Sequence, residues 1–182
     1  MTRGAMTRRG RKPVQDELTG DLFASLPETG GEPDVVLPTD VAGMLALLAR
    51  WHEEGWLRRI DLELAHFLAE GTEPSPALPR VLLAAALCSW QLGRGHVCLD
   101  LQAVLEQPMP VLSIPVGPWL QTLTLVDWQE ACVACPSLVA QPSAEGVTDE
   151  ASTEGARTTP LVLVQHRLYL RRFWQYEQDV QQ

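Results

Sequence analysis

The chain has 182 residues, of which 46% are apolar and 20% charged, and its formal net charge is −9. That length is enough for one domain with a real core, and the composition excludes a disordered chain. The acidity argues against a protein whose main surface grips a phosphate backbone.

The charge is unevenly placed. Arg3, Arg8, Arg9, Arg11 and Lys12 lie in a stretch without acids, and from residue 13 onward 9 basic residues face 23 acidic ones, a balance of −14. No apolar segment follows the basic start as a secretory signal requires, so the expected compartment is the cytoplasm, with the four cysteines as reduced thiols. The longest apolar run, 81–88, is far short of a membrane span, and no membrane role is expected. Residues 1–36 lack periodicity and read as a disordered basic tail.

Apolar spacing then predicts a helix from Val41 to about Trp51, capped by Thr39 or Asp40 and ended by Gly55. A second helix is expected over 59–70, with Ile60, Leu62, Leu64, Phe67 and Leu68 as its apolar set, and a three-proline loop follows Gly71. A third, over 78–92, is apolar nearly all round and belongs at the centre of a bundle. Gly93 and Gly95 fall where a left-handed residue closes a helix. "HVCL" reads as extended, Asp100 as the cap of a short helix over 101–106, and Pro108 and Pro110 as its stop. Asp127 with Glu130 has the spacing of a capping box before "WQEACVAC". Residues 141–159 read as a flexible low-complexity loop. Two apolar runs in "PLVLVQHRLYL" predict a β-hairpin, and "RRFWQYEQDVQQ" a final helix. The expected fold class is mainly α: a small helical bundle with a short β-hairpin near the C-terminus. The expected organisation is a tail (1–36), a helical domain (37–140), a loop (141–159), and a hairpin with helix (160–182).

Little of this carries chemistry. The only lysine is Lys12, so no Walker-type phosphate loop exists, and helix closure is expected for the glycine pair. His96 and Cys98 sit two apart, where a strand points both side chains one way. Their apolar neighbours favour packing over nucleophilic catalysis. Cys132 and Cys135 have the Cys-x-x-Cys spacing of zinc or redox sites. They also fit one helix face, and no second ligand pair accompanies them, so packing is expected. No catalytic, cofactor or metal residue is assigned. Arg171 and Arg172, beside Phe173, Trp174 and Tyr176, form a strip suited to nucleic-acid contact, diluted by Glu177 and Asp179.

Three stretches carry a resemblance: "LLAAALCSWQLGRGHVCLDL", "DWQEACVAC" and "PLVLVQHRLYLRRFWQYE". In this order and spacing they resemble the N-terminal domain of RecD, the alpha subunit of the bacterial helicase–nuclease RecBCD, exodeoxyribonuclease V. The resemblance spans about residues 42–180, apart from 141–159. Its motif positions are Gly93, Gly95, His96, Cys98, Leu99, Trp128, Arg167, Leu168, Tyr169, Leu170, Trp174 and Glu177; it is silent on Cys135. In that family a helicase motor follows, and ATP and magnesium belong to that motor. The chain is therefore expected to be a RecD N-terminal piece without its motor. The resemblance implies docking onto RecC, and through it RecB, with DNA met through the complex. The alternative expectation is a stand-alone nucleic-acid-binding protein using the basic tail and the 171–176 strip.

Overall fold

The computed structural model describes residues 35–142 and 159–180. The expected tail, through residue 34, and the expected loop, over 143–158, lie outside them.

Helix α1 (Val41–Glu53) starts where Asp40 turns out of helical geometry and accepts a hydrogen bond from the Gly43 amide at 2.8 Å. Met44, Leu47, Leu48 and Trp51 form its buried face, and Gly55, at φ +77°, reverses the chain beyond it. Helix α2 (Arg59–Glu70) has no Ser, Thr or Asp at its cap. Instead Asp61, in its first turn, accepts from the Arg58 amide at 2.9 Å. Its buried face is Asp61, Ala65 and Leu68. This corrects the expected apolar face: Ile60 and Phe67 point to solvent.

Helix α3 (Leu78–Gly93) is buried on nearly every side and touches α1 and α2, as its sequence predicts. The two glycines after its apolar run have separate tasks. Gly95, at φ +89°, makes the left-handed turn. Gly93 is the last helical residue, and a Cβ there would fall 1.9 Å from the Arg58 Nη1. It is small because a guanidinium lies over it.

The extended segment is shorter than expected. The His96 amide bonds back to the Gln91 carbonyl at 3.1 Å, so residues 96–98 bend. Strand β1 is only Leu99–Asp100. Helix α4 (Leu101–Glu106) is capped as predicted by Asp100, which accepts from the Ala103 amide. Pro108 and Pro110 do not simply end the helical region. They lie in the first turn of a further helix, α5 (Pro108–Leu112), where a missing amide hydrogen costs nothing. A one-turn helix α6 (Gly117–Leu120) follows. Helix α7 (Leu125–Val133) begins earlier than expected. Thr124 is the cap and Asp127 its reciprocal partner, with Thr124 Oγ1 accepting from the Asp127 amide at 3.1 Å. The predicted Asp127–Glu130 pairing is displaced three residues upstream, with Thr124 at the cap and Asp127 in the third helical position.

The hairpin forms as predicted: β3 (Leu161–Val164) and β4 (Arg167–Leu170) pair antiparallel, Leu163 opposite Leu168. Gln165 takes the positive φ, +56°, that an Asn-Gly turn would otherwise supply. Its carbonyl accepts from Gln129 Nε2 of α7 at 2.8 Å. The sheet is larger than one hairpin. β1 pairs antiparallel with β4, and β2 (Val139–Ala140) pairs parallel with β3, giving the order β1-β4-β3-β2. Helix α8 (Arg171–Val180) follows β4 directly. The fold is mainly α with a minor sheet, eight helices and four strands among the described residues. None of these helices is long and apolar enough to cross a membrane.

Candidate functional site

The C-terminal end of α3, the 96–98 bend, β1 and β4 bring most of the predicted motif together. Leu99 and Leu168 lie opposite each other and are fully buried. The Cys88 thiol donates to the Leu168 carbonyl at 3.3 Å, tying α3 to the sheet. Asp100 faces His166 Nε2 at 3.5 Å and Arg167 Nε at 3.8 Å while capping α4. The Leu101 amide closes this corner by donating to the His166 carbonyl at 2.9 Å.

Beside this corner runs a shallow groove of about 530 Å³ between β1 and α5. His96, Cys98 and Arg167 line it with Gln91, Arg94 and Val111. The end of α3 grips the far wall through three side chains. Trp90 Nε1 donates to the Leu112 carbonyl at 2.9 Å, and Gln91 Nε2 and Arg94 Nη1 both donate to the Val111 carbonyl. Arg94 also donates to Ser113 Oγ at 2.8 Å. Its guanidinium is thereby committed to holding α5 in place.

The remaining motif positions are dispersed. Trp128, on α7, is fully buried and donates to the Arg80 carbonyl at 3.0 Å. Tyr169 is buried, Leu170 packs against the core, and Trp174 and Glu177 are half-buried on α8. Of the two arginines expected at nucleic acid, Arg171 donates to the Thr159 carbonyl and hydroxyl. Arg172 is exposed and donates to the Tyr176 hydroxyl at 3.1 Å, with its guanidinium over the ring.

Thiol chemistry is held down by burial. All four cysteines are free. Burial pushes Cys88 and Cys132 up to about 12, and it raises Cys98 as well, against the effect of its hydrogen bond with Tyr169. Tyr169 is itself pushed up to about 12, first by burial and then by Cys98. A nucleophilic cysteine needs the opposite shift, since the thiolate is the reactive form. Cys132 and Cys135 are both buried, and Cys135 lies 3.7 Å from Ser75 Oγ. Among the described residues no three His, Cys, Asp or Glu side chains are grouped to hold a metal.

These shifts carry a testable consequence. The folded pKa of about 12 for Cys88 and Cys132 lies above the ordinary 9.0. The stabilisation is therefore complete below pH 9 and is lost as pH rises toward 12, because the unfolded chain ionises first. Each thiol contributes a slope of about 1.4 kcal/mol per pH unit across that window. Urea unfolding between pH 8 and pH 11 is expected to show this fall, which replacing both residues by serine would lessen, Cys98 and Tyr169 retaining part of it.

The site's strongest polar network has no counterpart in the predicted motifs. Asp61, fully buried, accepts from Arg58 Nη2 at 2.7 Å, from Arg58 Nε at 3.1 Å and from Ser89 Oγ at 2.6 Å. Arg58 Nη2 also donates to the Ser89 carbonyl at 2.5 Å, and its guanidinium stacks over Trp90. The network fastens the start of α2 to the end of α3. One sequence signal marks it: Asp61 falls in register with Ala65 and Leu68 on a helix's inner face. Nearby, Trp119 meets Trp51 and Trp56 edge to face, those two are tilted against each other, and Arg50 lies over Trp119.

The outer surface complements this closed interior. Ile60 and Phe67 on α2, Val97 at the groove, Met109 on α5 and Val126 on α7 all remain exposed. In a comparison with known families, the N-terminal domain of the RecBCD enzyme subunit RecD matches residues 53–169. No curated protein matches the chain.

Proposed function

The chain belongs to the RecD N-terminal domain family, and from that premise we propose that it is a docking module of the RecBCD helicase–nuclease. It seats its subunit on RecC, and through RecC on RecB, and so acts in double-strand-break repair and recombination. DNA is met through the assembly, ATP and magnesium serve the motor that follows this domain in the family, and the work takes place in the cytoplasm.

One observation carries this reading. Within the family-matched span, large apolar side chains stay bare: Ile60 is 63% exposed and Phe67 70%. The one buried carboxylate on α2, by contrast, is taken up internally, in the Arg58–Asp61–Ser89 network. Apolar groups held at the surface of an otherwise closed body mark a protein contact rather than a reaction centre. The nucleic-acid alternative draws less support, because Arg171 is engaged with Thr159 and α8 also carries Glu177 and Asp179.

Co-expression of the full chain with RecC, followed by affinity capture on either component, tests the proposal. A stable one-to-one complex is expected, surviving moderate salt. Failure to recover RecC, with both proteins folded, would remove the docking reading.

A further inference from the structure

Helix α2 carries an apolar stripe whose two ends are bare and whose middle residue, Leu64, packs against the edge of the core. Ile60, Leu64 and Phe67 are spaced four and three residues apart, which places them within one narrow sector of the helix. Ile60 and Phe67 are more than half exposed and Leu64 is half-buried. The stripe lies wholly inside the family-matched residues.

The rotation of α2 that exposes it is fixed. Each exposed residue has a buried neighbour one position on, Asp61 after Ile60 and Leu68 after Phe67. One residue is a turn of about 100° on a helix of 3.6 residues per turn. Rolling α2 to bury Ile60 and Phe67 would draw Asp61 away from Arg58 and Ser89, which hold it at 2.7 and 2.6 Å. An acid is thus buried while an isoleucine and a phenylalanine are left outside.

The charge around the stripe selects its occupant. Residues 50–80 contain six carboxylates, Glu53, Glu54, Asp61, Glu63, Glu70 and Glu73, against four guanidiniums, Arg50, Arg58, Arg59 and Arg80. Arg58 is held by Asp61 and Arg59 by Glu63. Glu63 and Glu70 stand three residues beyond Ile60 and Phe67, along one edge of the stripe. A second copy of this acidic chain would bring like charges together, and a phosphate backbone would be repelled. We infer that the α2 stripe is the surface that seats on RecC, in an apolar groove bordered by lysine or arginine on that partner. The inference rests on the docking reading above and adds the face that makes the contact. Phe67 is the anchor, since aromatic side chains dominate the desolvated centres of such interfaces.

The test titrates the full chain into purified RecC and compares variants. Phe67→Ala and Ile60→Ala are each expected to weaken binding at least tenfold with melting midpoints unchanged, since neither side chain is in the core. Glu70→Lys is expected to slow association and reduce its dependence on ionic strength. Val180→Ala, which removes an exposed apolar group on another helix, is expected to bind like the parent. If the parent binds RecC and the Phe67 and Ile60 variants bind equally well, the stripe inference is overturned and the docking reading survives. If the parent chain does not bind RecC, both fall. A parent that instead forms a homodimer abolished by Phe67→Ala would overturn the stripe's assignment to RecC.

Discussion

Replacing Asp61 by alanine is expected to cost about 3 kcal/mol of folding stability, the lower end of the range for breaking a buried ion pair by removing one partner. The lower end applies because the Arg58 side chain remains 41% exposed and can rehydrate. Ser89 Oγ loses its acceptor, the Arg58 amide at the start of α2 loses its cap, Arg58 Nε loses its acceptor, and Arg58 Nη2 keeps only the Ser89 carbonyl. Asp61→Asn keeps an acceptor for Ser89 but removes the charge, so it should fall between the parent and the alanine variant. Urea unfolding measures both. A loss below about 1 kcal/mol for Asp61→Ala, the level of a single neutral hydrogen bond, would show that the network does not fix α2.

Trp128→Ala should be at least as damaging, at about 3–5 kcal/mol, because the indole is wholly enclosed and its removal leaves a cavity the helices cannot close. α7 packs on α3 through this residue, and the indole hydrogen bond to the Arg80 carbonyl sets its orientation. Trp128→Phe separates the two contributions. It retains most of the apolar volume and gives up the bond, for a loss of about 1–2 kcal/mol. A Trp128→Phe variant as unstable as Trp128→Ala would mean that the hydrogen bond, rather than the filled volume, holds α7.

Long, strongly patterned segments were legible in the sequence. The apolar run 81–88 and the glycines after it place α3 at the centre, and the paired apolar runs place the hairpin. Short elements were not. A two-residue strand such as β1 or β2 has no alternation to read and exists only because β3 and β4 offer an edge on either side. Pro108 and Pro110 read as a stop because proline breaks helix interiors, yet both are compatible with a first turn.

The rotation of α2 was hidden for a different reason. Ile60, Leu64 and Phe67 look like a core face by spacing, and Asp61 looks like a surface residue by type. Only the distant Ser89 and the guanidinium over Gly93 make the opposite rotation the stable one. The motif glycines illustrate the same limit. Gly95 is legible as a left-handed turn, whereas Gly93 owes its identity to Arg58, 35 residues away in sequence. Cys98 and His96 were legible as neighbours, but the burial that raises the thiol against its hydrogen bond with Tyr169 was not.

Calorimetric titration of the full chain into purified RecC tests the central claim most directly. The account predicts saturable binding at one chain per RecC, with a negative heat-capacity change from buried apolar surface. Absence of heat and of complex at micromolar concentrations of both folded proteins would contradict it.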